Sequence, residues 1–358
     1  MEKFNNNSSI NFIKWILMGT DNCDQVVFYF LSKKNATSQR YFPLFEATNH
    51  VRIVYLNGLS LKYTDFLMLK IFWLLVFLFR KKSLNYRVVH TFTTKIIFES
   101  KIQVLHIDDP LYSEREVTSI RDWEAKIGKQ GNHSVIVCTN FTMTEWFKKN
   151  RSKSKFLIVE QGFSTPARVQ SKNNFNQSFK CVYTSQYIHF GNDKYSQHST
   201  WGANLLIGFV IPRLYKLKPD LEIHIIGELG NQAKQALKKF ENVITHGALS
   251  GQDNMAVIQD CDLGIYPRQV DHKRSILKIY SYIGAGIPIV GFDLIDTKIV
   301  KEYNLGVLVK SKEELIDKII ELSKDNQTYL SYKSNVYKIR NLFAWNVLAH
   351  KLEKNMYV

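Results

Sequence analysis

The stretch that decides the fold is Leu263–Val290, which reads LGIYPRQVDHKRSILKIYSYIGAGIPIV. Its first residues, Leu263–Tyr266, form an apolar run that is typical of a buried strand. A helix is predicted over Ser275–Ala285, because serine is a good N-cap and a glycine followed closely by proline ends a helix. The apolar residues Ile289–Gly291 then predict a second strand. A strand, a helix and a strand in this order indicate a parallel α/β sheet.

Basic residues crowd the start of that helix. Arg268, Lys273 and Arg274 lie in the loop before Ser275, and Lys278 lies in the first turn. Cations are unfavourable at this end because the helix dipole is already positive there. A diphosphate would receive both the free backbone N–H groups and the basic side chains. The pattern therefore indicates a phosphate site, and a solvated basic loop is the alternative.

The same alternation of strands and helices extends along the chain and predicts an α/β protein. The predicted strands of the first half are Gln25–Leu31, Val51–Leu56, Val88–Thr91, Gln103–Ile107, Ser134–Thr139 and Phe156–Val159. Further strands of the second half are Cys181–Thr184, Glu222–Ile226 ending at Gly227, and Val243–Thr245 ending at Gly247. Helices are predicted over Trp201–Leu217, Ala233–Phe240, a segment containing Met255–Gln259, and Glu313–Lys324.

A polar, asparagine-rich stretch, Ser171–Ser178, interrupts this alternation and is interpreted as an interdomain linker. A chain of 358 residues is long enough for two domains. We therefore expect an N-terminal domain over residues 1–175, a C-terminal domain over residues 176–340 and a final segment over residues 341–358.

The net charge is +16, and the first half of the chain holds most of it. Residues 1–178 contain 25 Lys and Arg against 14 Asp and Glu, which gives +11. A basic surface attracts nucleic acid, anionic lipid or a nucleotide, and composition does not choose among them. The four cysteines show no metal or redox spacing, which fits a reducing cytoplasm.

One segment, Phe66–Phe79 (FLMLKIFWLLVFLF), is almost wholly apolar and runs into Arg80, Lys81 and Lys82. Its 14 residues are too few to span a bilayer as a helix, which takes about 20 residues. Two interpretations stay open. The segment is either a buried helix of the first domain or, over residues 66–82, a membrane-surface helix with a basic flank.

Several short motifs, in the expected order, resemble those of the GT-B glycosyltransferases. They are Ile225-Ile226-Gly227-Glu228, Asn242-Val243 with Gly247, Asp260–Pro267, Leu277–Val290, and Phe343-Ala344-Trp345. The resemblance covers residues 181–358 well and the first half loosely. It implies two Rossmann-like domains facing a cleft, the first binding the acceptor and the second a nucleotide-diphosphate sugar. It also implies a C-terminal helix that crosses back to pack on the N-terminal domain.

The resemblance also implies roles for individual residues. Lys278 would contact the diphosphate, and Ser281 would lie near the ribose. Ser185 would approach the donor phosphates, and Gly227 and Gly247 would lie at strand ends beside the donor. The predicted donor site is completed by the basic loop, namely Arg268, Lys273, Arg274 and Ser275. We expect no cofactor and no bound metal, because in this family the helix dipole and basic side chains neutralise the leaving diphosphate.

The chain also departs from the family's pattern. Many retaining members carry two glutamates separated by seven residues, which would fall at Lys273 and Ser281 here. Neither residue is acidic. The pair formed by Lys278 and Ser281 is instead similar to that of bacterial glucuronosyltransferases that make exopolysaccharide. The loss of the glutamates favours an inverting mechanism.

An inverting transfer needs a general base that accepts the proton of the acceptor hydroxyl. Asp108 and Asp109 follow the predicted strand Gln103–Ile107, at the strand end where open α/β sheets bind ligands. Adjacent carboxylates raise each other's pKa, which suits a base. An aspartate that only caps the next turn is the alternative interpretation, and His90 and His106 are further candidates.

The expected function is sugar transfer from a nucleotide-diphosphate sugar to a glycan or lipid-linked acceptor, in bacterial surface polysaccharide synthesis. The expected location is the cytoplasm, at the inner face of the plasma membrane. Because the two glutamates are absent, a catalytically inactive GT-B subunit that binds a partner or a membrane is the alternative. Nucleic acid is not an expected partner, since charge alone points to it and no reading module is recognised.

Overall fold

The computed structural model describes residues 26–30, 51–55, 88–90, 104–107, 135–138, 155–158, 162–163, 178–191, 202–249, 251–270, 277–344, 347–348 and 351. Contacts between α-carbons divide the chain into two compact units. One is built mainly from Phe12–Glu160, and the other mainly from Gln161–His272 and Ile276–Val347. Among the described residues, no helix has the length and apolar character needed to cross a membrane. The apolar segment 66–82 lies outside them.

The first unit contributes six described strands, all paired in parallel. They are β1 Val26–Phe30, β2 Val51–Tyr55, β3 Val88–His90, β4 Val104–Ile107, β5 Val135–Cys138 and β6 Lys155–Ile158. β1 pairs with β2, and the others form a sheet in the order β3-β4-β5-β6. Each strand matches its predicted bounds to within one residue. Short, continuous apolar runs are the expected signature of parallel strands, since such sheets are covered on both faces.

The second unit contains a parallel sheet of six strands in the order β12-β11-β10-β7-β8-β9. The strands are β7 Lys180–Ile188, β8 Glu222–Leu229, β9 Val243–Gly247, β10 Leu263–Tyr266, β11 Ile289–Phe292 and β12 Gly306–Val309. The helices are α1 over residues 203–217, α2 Asn231–Leu237, α3 Gly251–Gln259, α4 Leu277–Ala285, α5 Lys298–Glu302, α6 Lys312–Leu322 and α7 Asn326–Ile339. A π-helical turn, Leu206–Val210, lies within α1.

Two hydrophobic clusters cover the two faces of this sheet. Alternate residues of β7 separate between them, as the pleat of a strand requires. Cys181 and Tyr183 pack in one cluster with Leu206 of α1, and Val182 packs in the other with Ile279 of α4. All five side chains are fully buried. Each apolar side chain buried in this way contributes about 1.5–3 kcal/mol, so the clusters fix α1 and α4 on opposite faces of β7.

The strand order reverses beside β7. From β7 the chain builds outward through β8 to β9, and it then returns to place β10 on the other side of β7. The connections on the two sides therefore diverge and leave a crevice at the carboxyl ends of β7 and β10. Open α/β sheets bind their ligands at such a reversal point.

Two predicted strand ends were wrong. β7 continues past Thr184 to Ile188, so that Ser185 lies within the strand and does not follow it. β8 continues through Gly227 to Leu229. The physical reason is a bulge between Thr184 and Tyr187, after which the two strands resume pairing. β12, α5 and α7 were not predicted, while Leu263–Tyr266 was predicted to the residue.

Two segments distant in sequence pair within the second unit. Phe163 forms a parallel bridge with Ala344, and its N–H donates to the carbonyl of Phe343 at 3.1 Å. The Phe163 ring lies against Gly284 of α4, where an added Cβ would approach the ring to 2.4 Å. The motif Phe343-Ala344-Trp345, predicted to open the last helix, begins at the end of a 3-10 turn, Arg340–Phe343, and continues through this bridge. Residues 347–348 beyond it are helical. Trp345 itself lies outside the described residues.

A histidine pair links β8 to β9, and its burial predicts that acid destabilises this unit. His224 Nδ1 lies 3.0 Å from His246 Nε2, and His224 Nε2 lies 3.3 Å from a carboxylate oxygen of Glu222. Burial lowers the pKa of both histidines below the ordinary value. The unfolded chain therefore binds more protons than the folded one just below pH 6.5, and stability falls as pH decreases through that range.

We expect His246→Gln to flatten this slope, by up to about 1.4 kcal/mol per pH unit. Urea unfolding from pH 7.5 to 5 measures it, and an unchanged slope contradicts the assignment.

Candidate anion-binding site

Arg268 is the central side chain at the reversal point. It follows β10 after Pro267, and its side chain is fully buried. Its Nη1 donates to the Tyr266 hydroxyl at 3.4 Å and lies 3.7 Å from a carboxylate oxygen of Asp296, which is also without solvent exposure. Asp296 comes from the 3-10 turn Ile295–Thr297 that follows β11. Two neighbouring strand ends therefore supply a buried cation and its counter-ion.

Lys278 adds a second buried cation in the first turn of α4. Its exposed fraction is 9%, and its Nζ lies 4.5 Å from the ring centroid of Tyr183 on β7. Burial and the nearby charge of Arg268 lower the pKa of Lys278 to about 7. Removing the amine from water disfavours its charged form, and the guanidinium repels it further. The site therefore concentrates positive charge that an incoming anion would stabilise.

Tyr183 connects Lys278 to Ser185. The Ser185 hydroxyl hydrogen-bonds the Tyr183 phenol, whose pKa is raised by burial and lowered in part by that bond and by Arg268. Ser185 is half-buried and lies beside the bulge of β7. Two of the predicted donor-site residues, Lys278 and Ser185, thus contact one aromatic ring, and Arg268 is close enough to lower the pKa of its phenol.

Gly202 brings the start of α1 against the loop that carries Arg268. It caps α1 with φ 84° and ψ 3°, the left-handed conformation that glycine tolerates best. A Cβ at this position would lie 2.4 Å from the Pro267 carbonyl oxygen and 2.8 Å from the Arg268 nitrogen. A larger residue would therefore separate α1 from the loop. The start of α1 therefore lies at the end of β10, at the reversal point.

Three further predicted donor residues are described, and each has different surroundings. Gly227 packs on β7, where its Cβ would lie 1.9 Å from the Ser185 carbonyl oxygen, so this glycine permits the close approach of β8. Gly247 ends the edge strand β9, two strands away from β7, with open space around its Cα. Ser281 is half-buried and donates to the Leu277 carbonyl at 3.0 Å within α4. Its predicted contact with a ribose stays a prediction.

Several predicted residues lie outside the described part of the chain. Lys273, Arg274 and Ser275 precede α4 in the sequence, and Asp108 and Asp109 come directly after the last residue of β4. Their predicted roles stay predictions. Within the described residues, no group of three His, Cys, Asp or Glu side chains is arranged to hold a metal ion.

Sequence reasoning missed Tyr183, Asp296, Gly202 and Tyr282. Asp296 follows β11 as Arg268 follows β10, so the rule that ligands meet at strand carboxyl ends was a usable signal. Gly202 carries no local signal, because the backbone that excludes a side chain there belongs to Pro267, 65 residues later in the chain.

Comparison with known proteins gives matches only at the level of structure. No protein-family model and no curated protein matches the chain. The structure of HepE from Anabaena with UDP superposes with a TM-score of 0.71 at 12% identity, over 99% of this chain and 98% of that one. WaaG, a glycosyltransferase involved in lipopolysaccharide biosynthesis, gives 0.64 at 13% identity, over 97% and 95%. The pneumococcal O-GlcNAc transferase GtfA, with UDP and GlcNAc, gives 0.54 at 14% identity, over 71% and 52%.

These matches confirm the fold that the sequence motifs predict. The chain has the GT-B fold of the glycosyltransferases. It spans about half the length of the pneumococcal transferase and nearly the whole length of HepE and WaaG.

Proposed function

We propose that the protein is a glycosyltransferase that binds a nucleotide-diphosphate sugar at Arg268 and Lys278. The observation that carries the proposal is the burial of these two cations at the reversal point of a GT-B sheet. Asp296 balances the charge of Arg268, so burying Lys278 beside Arg268 leaves one excess positive charge. That excess raises the free energy of the ligand-free protein, and buried charges of this kind cluster at functional sites. A diphosphate supplies two negative charges and several acceptor oxygens, which suits a guanidinium and an amine together.

The chemistry of transfer follows from this placement. Charge develops on the diphosphate as the sugar leaves, and fixed cations with the starts of α1 and α4 stabilise that charge without reorganising. The structures of HepE with UDP and of GtfA with UDP and GlcNAc support a uridine nucleotide as the first to test. We further propose an inverting transfer in which Asp108 or Asp109 accepts the acceptor proton, without a bound metal.

The acceptor is proposed to be a glycan or lipid-linked saccharide of a bacterial surface polysaccharide. WaaG acts in lipopolysaccharide biosynthesis, which supports this class. The basic first half of the chain and the segment 66–82 support work at the cytoplasmic face of a membrane. Sedimentation with anionic liposomes tests this part, with Arg80, Lys81 and Lys82 changed to serine as the comparison.

Nucleotide binding is the direct test of the donor site. We expect UDP, GDP or TDP to raise the Tm of the full chain, on the order of 5 °C at about 100 times the Kd. Lys278→Ala removes the shift. Lys301→Ala is the matched control, since that lysine is 72% exposed in the same unit, and it keeps the shift. The proposal fails if no nucleotide or nucleotide sugar changes the Tm of the wild-type chain.

Turnover separates an enzyme from an inactive GT-B subunit. Wild-type protein should hydrolyse or transfer the sugar of the donor that gives the largest shift. Asp108→Asn or Asp109→Asn should lower that rate by at least about 100-fold while the thermal shift persists. Nucleotide binding without detectable turnover with any donor sugar would favour the inactive subunit.

A further inference from the structure

The hydroxyl of Tyr282 replaces part of the hydrogen-bond ladder between β7 and β10. The two strands pair at Leu263 with Cys181 and at Gly264 with Val182. Beyond these pairs, the Tyr282 hydroxyl accepts from the Thr184 N–H at 3.3 Å. Its single hydrogen is shared between the carbonyls of Val182, at 3.3 Å, and Ile265, at 3.2 Å. A side chain of α4 therefore connects both strands at the crevice.

The position of the Tyr282 ring is strongly constrained. The side chain is fully buried, and burial raises the pKa of its phenol well above the ordinary value. The ring lies over Gly264, where an added Cβ would approach it to 2.5 Å. Glycine at this point of β10 therefore makes the space in which the ring lies between the strands.

Tyr282 lies one helical turn after Lys278, on the same face of α4. A bond from Tyr282 to both strands fixes the rotation and height of α4 against the sheet. That in turn fixes the Lys278 amine over the Tyr183 ring, at 4.5 Å, and beside Arg268. Thr184, which donates to Tyr282, directly follows Tyr183 and precedes Ser185 on β7.

We propose that Tyr282 is a positioning residue for the anion site. Its hydroxyl bonds to β7 and β10 where their ladder ends. These bonds hold α4 so that Lys278 lies buried beside Tyr183 and Arg268. Tyr282 itself touches no ligand in this proposal. The inference rests on the proposed function only for the identity of the anion, since the placement of Lys278 is measurable without any ligand.

The test measures the titration and the water accessibility of the Lys278 amine in the ligand-free protein. Tyr282→Phe keeps the ring and removes the hydroxyl. Acetylation of Lys278 by acetic anhydride, quantified by mass spectrometry from pH 6 to 10, reports its titration and its access to water. Among the described residues, Arg268 is the charged group that acts on Lys278, and Arg268 in turn lies 3.7 Å from Asp296. In wild type we expect a midpoint near pH 7 and slow labelling. In Tyr282→Phe we expect a midpoint at least one pH unit higher and, above that midpoint, faster labelling because the amine is more accessible.

Two further variants separate positioning from general loss of stability. Ile319→Val deletes one methylene from a fully buried side chain of α6, so it lowers the Tm and leaves the Lys278 profile unchanged. Gly264→Ala displaces the ring while keeping the hydroxyl, and it reproduces the Tyr282→Phe profile. If Tyr282→Phe fails to fold, Gly264→Ala still tests the proposal. A Lys278 profile in either Tyr282→Phe or Gly264→Ala that equals the wild-type one overturns the proposal.

Ligand binding distinguishes this inference from the proposed function. We expect UDP affinity to fall about tenfold in Tyr282→Phe at pH 7, because a small displacement of a binding group costs that much or more. If wild type binds no nucleotide but the Lys278 profile still shifts, the proposed function fails and the positioning role holds. If wild type and Tyr282→Phe bind UDP equally with identical profiles, the positioning role is wrong.

Discussion

Lys278→Met is expected to stabilise the ligand-free protein and to abolish nucleotide binding. The pKa of the amine is lowered from 10.5 to about 7 by burial and by Arg268. Each pKa unit corresponds to about 1.4 kcal/mol, so at pH 7 the buried amine costs the fold on the order of 4 kcal/mol. Methionine has a similar length and no charge. After allowance for imperfect repacking we expect a net gain of about 1–3 kcal/mol, or several degrees in Tm.

The stability gained by Lys278→Met should depend on pH. Between pH 7 and pH 10.5 the unfolded chain holds the lysine proton and the folded chain does not, so wild-type stability rises with pH across that range. The methionine variant lacks this dependence. Its advantage over wild type should therefore be largest at pH 7 and below, and it should close towards pH 10.

Chemical denaturation at pH 6.5, 8 and 9.5, with and without UDP, measures both effects. Lys301→Met is the matched control, because its 72% exposed amine has no burial to relieve. If Lys278→Met is less stable than wild type at every pH, the amine stabilises the folded protein and the prediction is wrong. If UDP still stabilises Lys278→Met, Lys278 does not bind the donor.

The stretch Leu263–Val290 carried most of what the sequence reveals about this site. Its strand was predicted to the residue, and Arg268 and Lys278 were both assigned to an anion because cations rarely gather at a helix start. That inference needs local pattern alone. The burial of Arg268 was not predictable in this way, because it depends on Asp296 and Tyr266, brought together by the order of the sheet.

The errors have a common physical origin. Gly227 was interpreted as a strand terminator, because glycine weakens strands. It instead lies inside β8, since it alone allows the approach of β8 to the Ser185 carbonyl. Ser185 was likewise placed after β7, but it lies within the strand because pairing resumes beyond the bulge. Roles that depend on contacts between strands cannot be obtained from one strand's sequence.

Gly202→Ala is expected to destabilise the protein strongly and to disturb the site. The residue has φ 84°, a conformation that costs other residues about 1–2 kcal/mol. Its added Cβ would also lie 2.4 Å from the Pro267 carbonyl oxygen, and backbone cannot move aside as a flexible side chain can. Overpacking of this kind adds about 1–3 kcal/mol. The total loss is therefore about 2–5 kcal/mol, a large part of the stability of a typical domain.

Gly247→Ala provides the matched control for this change. Its φ of 67° is also left-handed, but nothing lies within 4 Å of its added Cβ. It therefore isolates the backbone strain, about 1–2 kcal/mol, from the collision. Urea unfolding of both variants measures the difference, which should be at least about 1 kcal/mol. Because the collision pushes the start of α1 from the Arg268 loop, Gly202→Ala should also weaken UDP binding at least tenfold in its folded fraction. Equal losses of stability in the two variants, with unchanged UDP affinity in Gly202→Ala, would show that α1 does not hold Arg268 in place.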